Sequence, residues 1–197
     1  MIPPTQGLKL WPSVESFYQR GTTPNEIWYA LGDQNNTAFS TVTHSFGSLR
    51  ATRFVVARTV IIDRLAFEVT TLAASGVGRC GIYRATSLTN QYPSALVVDA
   101  GEVSTATTGV KAATVATTLC PGVYWSCGLM GVANPGVRRF AVGCSDHGLG
   151  VTPALTGLQT NLSSSLSYQA LPATFPAGAT INAAASVVCL VAAMFSA

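Results

Sequence analysis

The chain has 197 residues, of which 10% are charged and 48% hydrophobic, and its formal net charge is +3. That length suits one well-buried domain, hiding about 70% of the surface its unfolded chain exposes. A charged fraction so far below the usual ~25% argues against an ordinary solvated monomer. The scattered arginines (Arg50, Arg53, Arg58 and Arg64, with Arg138-Arg139 adjacent) argue against the clustered basic stripe that nucleic acid requires.

Residues 1–47 hold Pro3, Pro4, Pro12 and Pro24 and show little sustained alternation. They read as an extended arm, with at most one helical turn near Ser13 to Tyr18. Trp11, Phe17, Tyr18, Trp28 and Tyr29 give this arm an aromatic load that a disordered linker would not need. It is expected to dock on its own domain or on a neighbour. The same opening residues lack the continuous apolar stretch of a signal peptide.

Period-2 alternation takes over from Thr52, so residues 48–197 are expected to form the folded domain. Leu65, Phe67 and Val69 alternate with Arg64, Ala66, Glu68 and Thr70, placing the apolar set on one strand face. Cys80 and Ile82 alternate with Arg79, Gly81 and Tyr83 in the same way. A polar loop then ends at Pro93, Ala95 to Val98 is apolar, and Asp99-Ala100-Gly101 reads as a turn. Pro121-Gly122 launches a strand whose one face holds Val123, Trp125, Cys127 and Leu129. Val137 to Val142 and Ser186 to Phe195 are further strand candidates, whereas Gly148 to Gly178 is the poorest fit to any regular element. Many short strands between Gly, Pro and Asn turns, without an amphipathic helix, predict an all-β antiparallel β-sandwich. Phe67, Ile82 and Trp125 are its expected core, with Trp125 between the two sheets beside the other two.

No Asp, Glu, Lys or Arg occurs from His147 to Ala197. The segment reads either as core strands with neutral loops or as the lining of an oligomer interface, since both are depleted of charge. Its most apolar run, Ala183 to Phe195, is too short for a helical membrane span, so no membrane insertion is expected. The five cysteines are an odd number with no CxxC pair, which fits synthesis in a reducing cytoplasm better than a disulfide framework.

Several pieces in order resemble a jelly-roll-like surface module of tailed-bacteriophage virions, found in tail fibres, head fibres and capsid decoration (cement) proteins. The resemblance is carried by Ile27-Trp28-Tyr29, Gly81-Ile82-Tyr83, Pro93-Ser94-Ala95-Leu96, Asp99-Ala100-Gly101, Thr108-Gly109-Val110, Leu119 with Pro121-Gly122-Val123-Tyr124-Trp125, and Leu171-Pro172-Ala173-Thr174-Phe175-Pro176. It covers most of the chain, from about Ile27 to Pro176. It implies a non-enzymatic structural protein on the virion surface, either a fibre or adhesin module or a capsid decoration protein. The implied partners are copies of itself, most plausibly as a homotrimer, other virion proteins and a host surface glycan. The aromatic residues of the arm would then anchor it to the particle.

Candidates for chemistry are few. With only His44 and His147 in the chain, most acid–base schemes lack material. Cys144, Asp146 and His147 read as a polar turn rather than a metal or nucleophile site, because adjacent strand residues point to opposite faces. No cofactor or metal is expected. A glycan-processing enzyme would need paired carboxylates in a cleft, and no convincing pair is visible. Tyr83, Tyr92, Tyr124, Trp125 and Tyr168 could stack on sugars, although a core or interface role is the simpler reading.

The low charge predicts a homo-oligomer. Light scattering at micromolar concentration should return a mass that is a multiple of the 20.4 kDa chain, and a stable soluble monomer would contradict this, because the apolar surface would stand in water.

Overall fold

A computed structural model of the chain describes residues 29–31, 39–140, 150–151, 158–183 and 192–196. Among these there are thirteen strands and no helix. In chain order they are β1 (Tyr29–Ala30), β2 (Phe39–Thr43), β3 (Ser48–Val56), β4 (Val60–Thr71), β5 (Val77–Ala85), β6 (Pro93–Ser104), β7 (Gly109–Leu119), β8 (Gly122–Gly131), β9 (Gly136–Phe140), β10 (Gly150–Val151), β11 (Leu158–Ser165), β12 (Thr180–Ala183) and β13 (Ala192–Ser196). One sheet runs β1-β13-β4-β9-β2 with β7 along the opposite side of β4, and the other runs β10-β11-β3-β8-β5-β6 with β12 also on β11. Every pairing is antiparallel. The chain is the all-β antiparallel sandwich that its alternation implies.

The segment read as an arm contributes to the sheets before Ser48. Tyr29–Ala30 pair with β13, and Phe39–Thr43 pair with β9. Leu31 is buried in the core, and its carbonyl accepts a hydrogen bond from the Ser126 hydroxyl at 2.9 Å. Trp11, Phe17, Tyr18 and Trp28, and the helical turn near Ser13 to Tyr18, lie outside the described residues, as does the side chain of Tyr29.

Strand β4 is the spine of the first sheet. Its buried residues switch phase along the strand, from Val60 and Ile62 to Leu65, Phe67 and Val69. A register irregularity between Ile62 and Arg64 sits at the switch. A period-2 strand would otherwise turn one of the two sets to solvent, so the bulge keeps both on the core.

Strand β8 is buried continuously from Val123 to Gly131, which requires cover on both faces. Tyr124 and Met130 face the first sheet, in one cluster with Phe54, Ile62, Phe67 and Ile82. Val123, Trp125, Cys127 and Leu129 share the other face with Leu49, Tyr83, Leu171 and Phe175. The expected place of Trp125 therefore needs correction. It is 1% exposed, as a core residue should be, and Phe67 and Ile82 are buried too, but it lies on the outer side of its sheet, away from those two. Alternation grouped its face correctly, yet both faces of β8 are apolar, so phase alone could not say which one the first sheet covers.

The stretch Gly148 to Gly178, the poorest fit to a regular element, in fact carries β10 and β11, and the outer cover is the irregular strap Leu166–Ala179 that follows β11 and leads into β12. The strap borrows its backbone pairing from β6: Leu96 N–H donates to Ala173 O at 2.9 Å and Phe175 N–H to Ser94 O at 2.8 Å. Aromatic hydroxyls serve two further carbonyls, with the buried Tyr83 Oη donating to Pro172 O at 2.8 Å and the half-buried Tyr92 Oη to Pro176 O at 2.6 Å. The Phe175 ring meets Tyr83 and Tyr92 edge-on, with centroids 5.1 and 6.1 Å apart. Two glycines admit the strap, because a Cβ at Gly81 would overlap the Leu171 side chain and one at Gly131 would overlap the Tyr168 ring.

The expected turn at Asp99-Ala100-Gly101 is instead a bulge within the unbroken strand β6. Pairing with β5 continues on both sides of it, from Arg79↔Glu102 to Gly81↔Asp99. The turn chemistry is present but local: Gly101 has φ +86° and its N–H donates to Asp99 Oδ1 at 2.9 Å. The bulge directs Asp99 to the strap, where Oδ2 accepts from Leu171 N–H at 3.0 Å and from Arg79 Nη1 at 2.7 Å.

Truncating Trp125 to Ala should cost about 3–5 kcal/mol, from lost transfer energy and the cavity left behind, read by denaturant unfolding. Phe175→Ala should open the strap first, so limited proteolysis would cut within 166–179 while the core between the sheets still resists. Unchanged denaturation of Trp125→Ala, or proteolysis of Phe175→Ala at random positions, would contradict this arrangement.

Candidate functional site

Of the five aromatics that could stack on sugars, Tyr83, Tyr124 and Trp125 are 0%, 2% and 1% exposed and offer no open ring face. Tyr92 and Tyr168 are half-buried. Tyr92 Oη is engaged by Pro176 O and by Ala179 N–H, and the Arg79 guanidinium sits 5.9 Å from the Tyr168 ring centroid. Tyr83, Tyr92, Trp125 and Tyr168 pack in the cluster under the strap, whereas Tyr124 packs in the core between the sheets. Cys144, Asp146 and His147 lie outside the described residues.

One cleft of about 490 Å³ opens at an end of the sandwich, lined by Arg84 and Ala85 of β5, Thr86, Ser87 and Leu88 of the following loop, Ser94 of β6, and Pro121, Gly122 and Val123 at the start of β8. Strand pairing brings these segments together. Ala85 opposes Pro93, Arg84 opposes Tyr124, and Val56 opposes Gly122, so the turns 57–59, 86–92 and 120–121 meet at one end.

The loop wall is built rather than loose. Thr86 N–H and its hydroxyl both donate to Tyr92 O, at 2.9 and 3.0 Å, and Ser87 N–H donates to Asn90 O at 2.8 Å. Asn90 N–H donates back to Ser87 Oγ at 2.8 Å. The buried Trp125 reaches the loop from below, its Nε1–H donating to Gln91 O at 2.7 Å, and Arg53 Nη1 donates to Gln91 Oε1. Composition and alternation mark 86–92 only as a polar loop. The signal that locates the cleft is Arg84 at a strand end, followed by a run of hydroxyl and amide side chains with no acidic residue before Asp99.

The described carboxylates lie elsewhere. Asp99 is bonded to Arg79, and Glu68 is held by Arg138 through two hydrogen bonds of 2.9 Å. Arg138 keeps the Glu68 carboxyl below its ordinary range. Among the described residues no group of three His, Cys, Asp or Glu side chains could hold a metal ion, and Cys80, Cys120 and Cys127 carry no disulfide. Burial pushes the Cys80 thiol up to about 12, so it behaves as an apolar side chain.

His44 is fully buried where β2 turns into β3, and its Nδ1 lies 3.0 Å from Ser45 O. Burial lowers its pKa to about 4, against a raising effect of the Ser45 carbonyl, with Arg50 lowering it further. It is therefore a neutral structural imidazole, donating through Nδ1 to the carbonyl.

No protein-family model matches this chain, and no curated protein sequence matches it.

The His44 environment sets a pH dependence. An unfolded histidine takes its proton near pH 6.5 and the folded one only near 4, so the unfolded state binds more protons between those values. Stability is full above pH 6.5 and falls as pH drops towards 4, by about 3 kcal/mol in all. Denaturant titrations across this window should show the fall in the parent and a flatter profile in His44→Gln. The Glu68 contribution begins to fall only as pH nears the ordinary carboxylate value at the acid end of this window, and is lost as pH drops through its depressed folded pKa. A parent profile that is flat from pH 6.5 to 4 would contradict the buried, neutral imidazole.

Proposed function

We propose that the chain is a non-enzymatic structural protein of a tailed-bacteriophage virion surface, a fibre or adhesin module that touches the host through loops at one end of the sandwich. It is attached to the particle through its N-terminal residues, with Trp11, Phe17, Tyr18, Trp28 and Tyr29 as anchors, and works as a homo-oligomer, a trimer by the resemblance. It is made in the host cytoplasm and ends on the virion surface. The observation that carries this reading is the cleft beside 86–92, whose wall is tied to the buried Trp125. A preorganised loop on a rigid sandwich is the usual way to present a binding surface.

A second reading, a capsid decoration protein, is favoured by the outside of β7. There Val110, Ala112, Thr114, Ala116 and Thr118 are exposed and none is charged, a flat face suited to lie against another subunit. A glycan-processing enzyme has less support. Two of the described carboxylates, Asp99 and Glu68, are each committed to an arginine, and a hydrolase needs a pair facing one bond.

Gold-labelled antibody on intact particles distinguishes the readings. Label at the tail, together with reduced phage adsorption when purified protein is added to host cells, is the expected outcome. Label on the head would transfer the protein to the shell-stabilising role, and particles without label would overturn both.

A further inference from the structure

We propose that the cleft at Arg84 binds a carboxylate-bearing sugar residue of an acidic surface glycan, an inference that rests on the adhesion reading above. The first argument is charge. Arg84 is exposed, no carboxylate is among the described residues that line the cleft, and Arg58 stands exposed in the turn 57–59 at the same end. The Arg79–Asp99 pair is five residues back along β5, roughly 17 Å at strand spacing. The field at this end therefore favours an anion.

The second argument is shape and chemistry. A guanidinium presents a planar fork that matches a carboxylate through two parallel hydrogen bonds. Beside it are Thr86, Ser87 and Ser94, of which the Thr86 and Ser87 hydroxyls are already bonded within the loop, to Tyr92 O and to Thr89 and Asn90. Ser94 Oγ accepts the Ala95 N–H at 2.6 Å, which leaves its own O–H to donate. Leu88, 73% exposed, and Pro121 offer apolar surface to the C–H face of a sugar ring. The volume lies within the roughly 300–1,000 Å³ of small-ligand sites. An anion, several alcohols and a modest apolar face together describe an acidic sugar. A nucleic acid would instead need open aromatic faces for its bases, and Tyr83, Tyr124 and Trp125 are buried.

The test uses the full chain with sodium D-glucuronate and D-glucose as probes in saturation-transfer NMR titrations, and inorganic phosphate, which has no C–H protons to observe, as a competitor that displaces glucuronate. Glucuronate should bind at least about tenfold more tightly than glucose or phosphate, and Arg84→Ala should weaken it about ten- to a hundredfold, the range of a lost charged hydrogen-bonded pair. The variant should melt like the parent, because Arg84 is exposed and outside both cores. Ser94→Ala should weaken glucuronate severalfold with Arg84 intact. Equal glucuronate binding by parent and Arg84→Ala, no glucuronate binding by the parent, or phosphate binding as strong as glucuronate would each overturn the assignment. Binding to host cells separates the two readings. If Arg84→Ala coats cells as well as the parent does, adhesion stands and the cleft is not its site. If the parent binds glucuronate but coats no host cell, the cleft assignment stands and the adhesion reading fails.

Discussion

The structure depends on one constraint: β8 is apolar on both faces. Antiparallel sheets commonly leave one face to water, and this one cannot. The first sheet covers the side of Tyr124 and Met130, and the strap Leu166–Ala179 covers the side of Trp125 and Leu129. An irregular strap brings backbone polar groups that need partners when covered. Those partners are why the aromatics beneath it are tyrosines and a tryptophan rather than phenylalanines: Tyr83, Tyr92 and Trp125 all end in groups that donate to carbonyls of the strap or of the adjoining loop. The bulge at Asp99 supplies one more acceptor, for Leu171 N–H.

This double cover joins stability to the proposed site. Trp125 fills the outer core and fixes the Gln91 carbonyl, and the loop from Thr86 to Tyr92 forms one wall of the cleft. The recognition surface is thus an extension of packing, held by a side chain that never reaches solvent. A ligand meeting such a wall orders little on binding, which lowers the entropic cost of association.

The fold class was legible because Leu65, Phe67 and Val69 alternate with mostly polar neighbours in β4, β8 is an apolar run of strand length, and the turns at Pro93 and Pro121-Gly122 carry the expected chemistry. The phase break between Ile62 and Leu65 was also present in the residues, but a bulge looks like lost periodicity until the pairing partner is known. Asp99-Ala100-Gly101 has the composition of a turn, and only the continued pairing of Arg79 with Glu102 identifies it as a bulge in a strand. The second core was hidden for a different reason. Leu171 and Phe175 lie in a Pro- and Ala-rich stretch with no period, so nothing local marks them as cover for an apolar face more than forty positions upstream. The cleft depends on three turns that meet only when β3, β5, β6 and β8 are paired. A resemblance built from turn and strand-start residues could suggest the fold and could not place Arg84.

The strap also bears on how the chain reaches its native state. Its partners are remote in sequence: Leu171 bonds Asp99 across 72 positions, and Tyr83 reaches Pro172 across 89. Closing such loops is unfavourable until both ends have surfaces to meet, so sandwiches rich in non-local pairing fold on the millisecond-to-second scale. The strap can dock only after β5, β6 and β8 have assembled the face it covers. Its contacts therefore form late and act mainly on the unfolding rate. A chain whose strap has not closed exposes the ring of Trp125 and the apolar row of β8, surface of the kind that lets an incomplete sandwich associate wrongly with its neighbours.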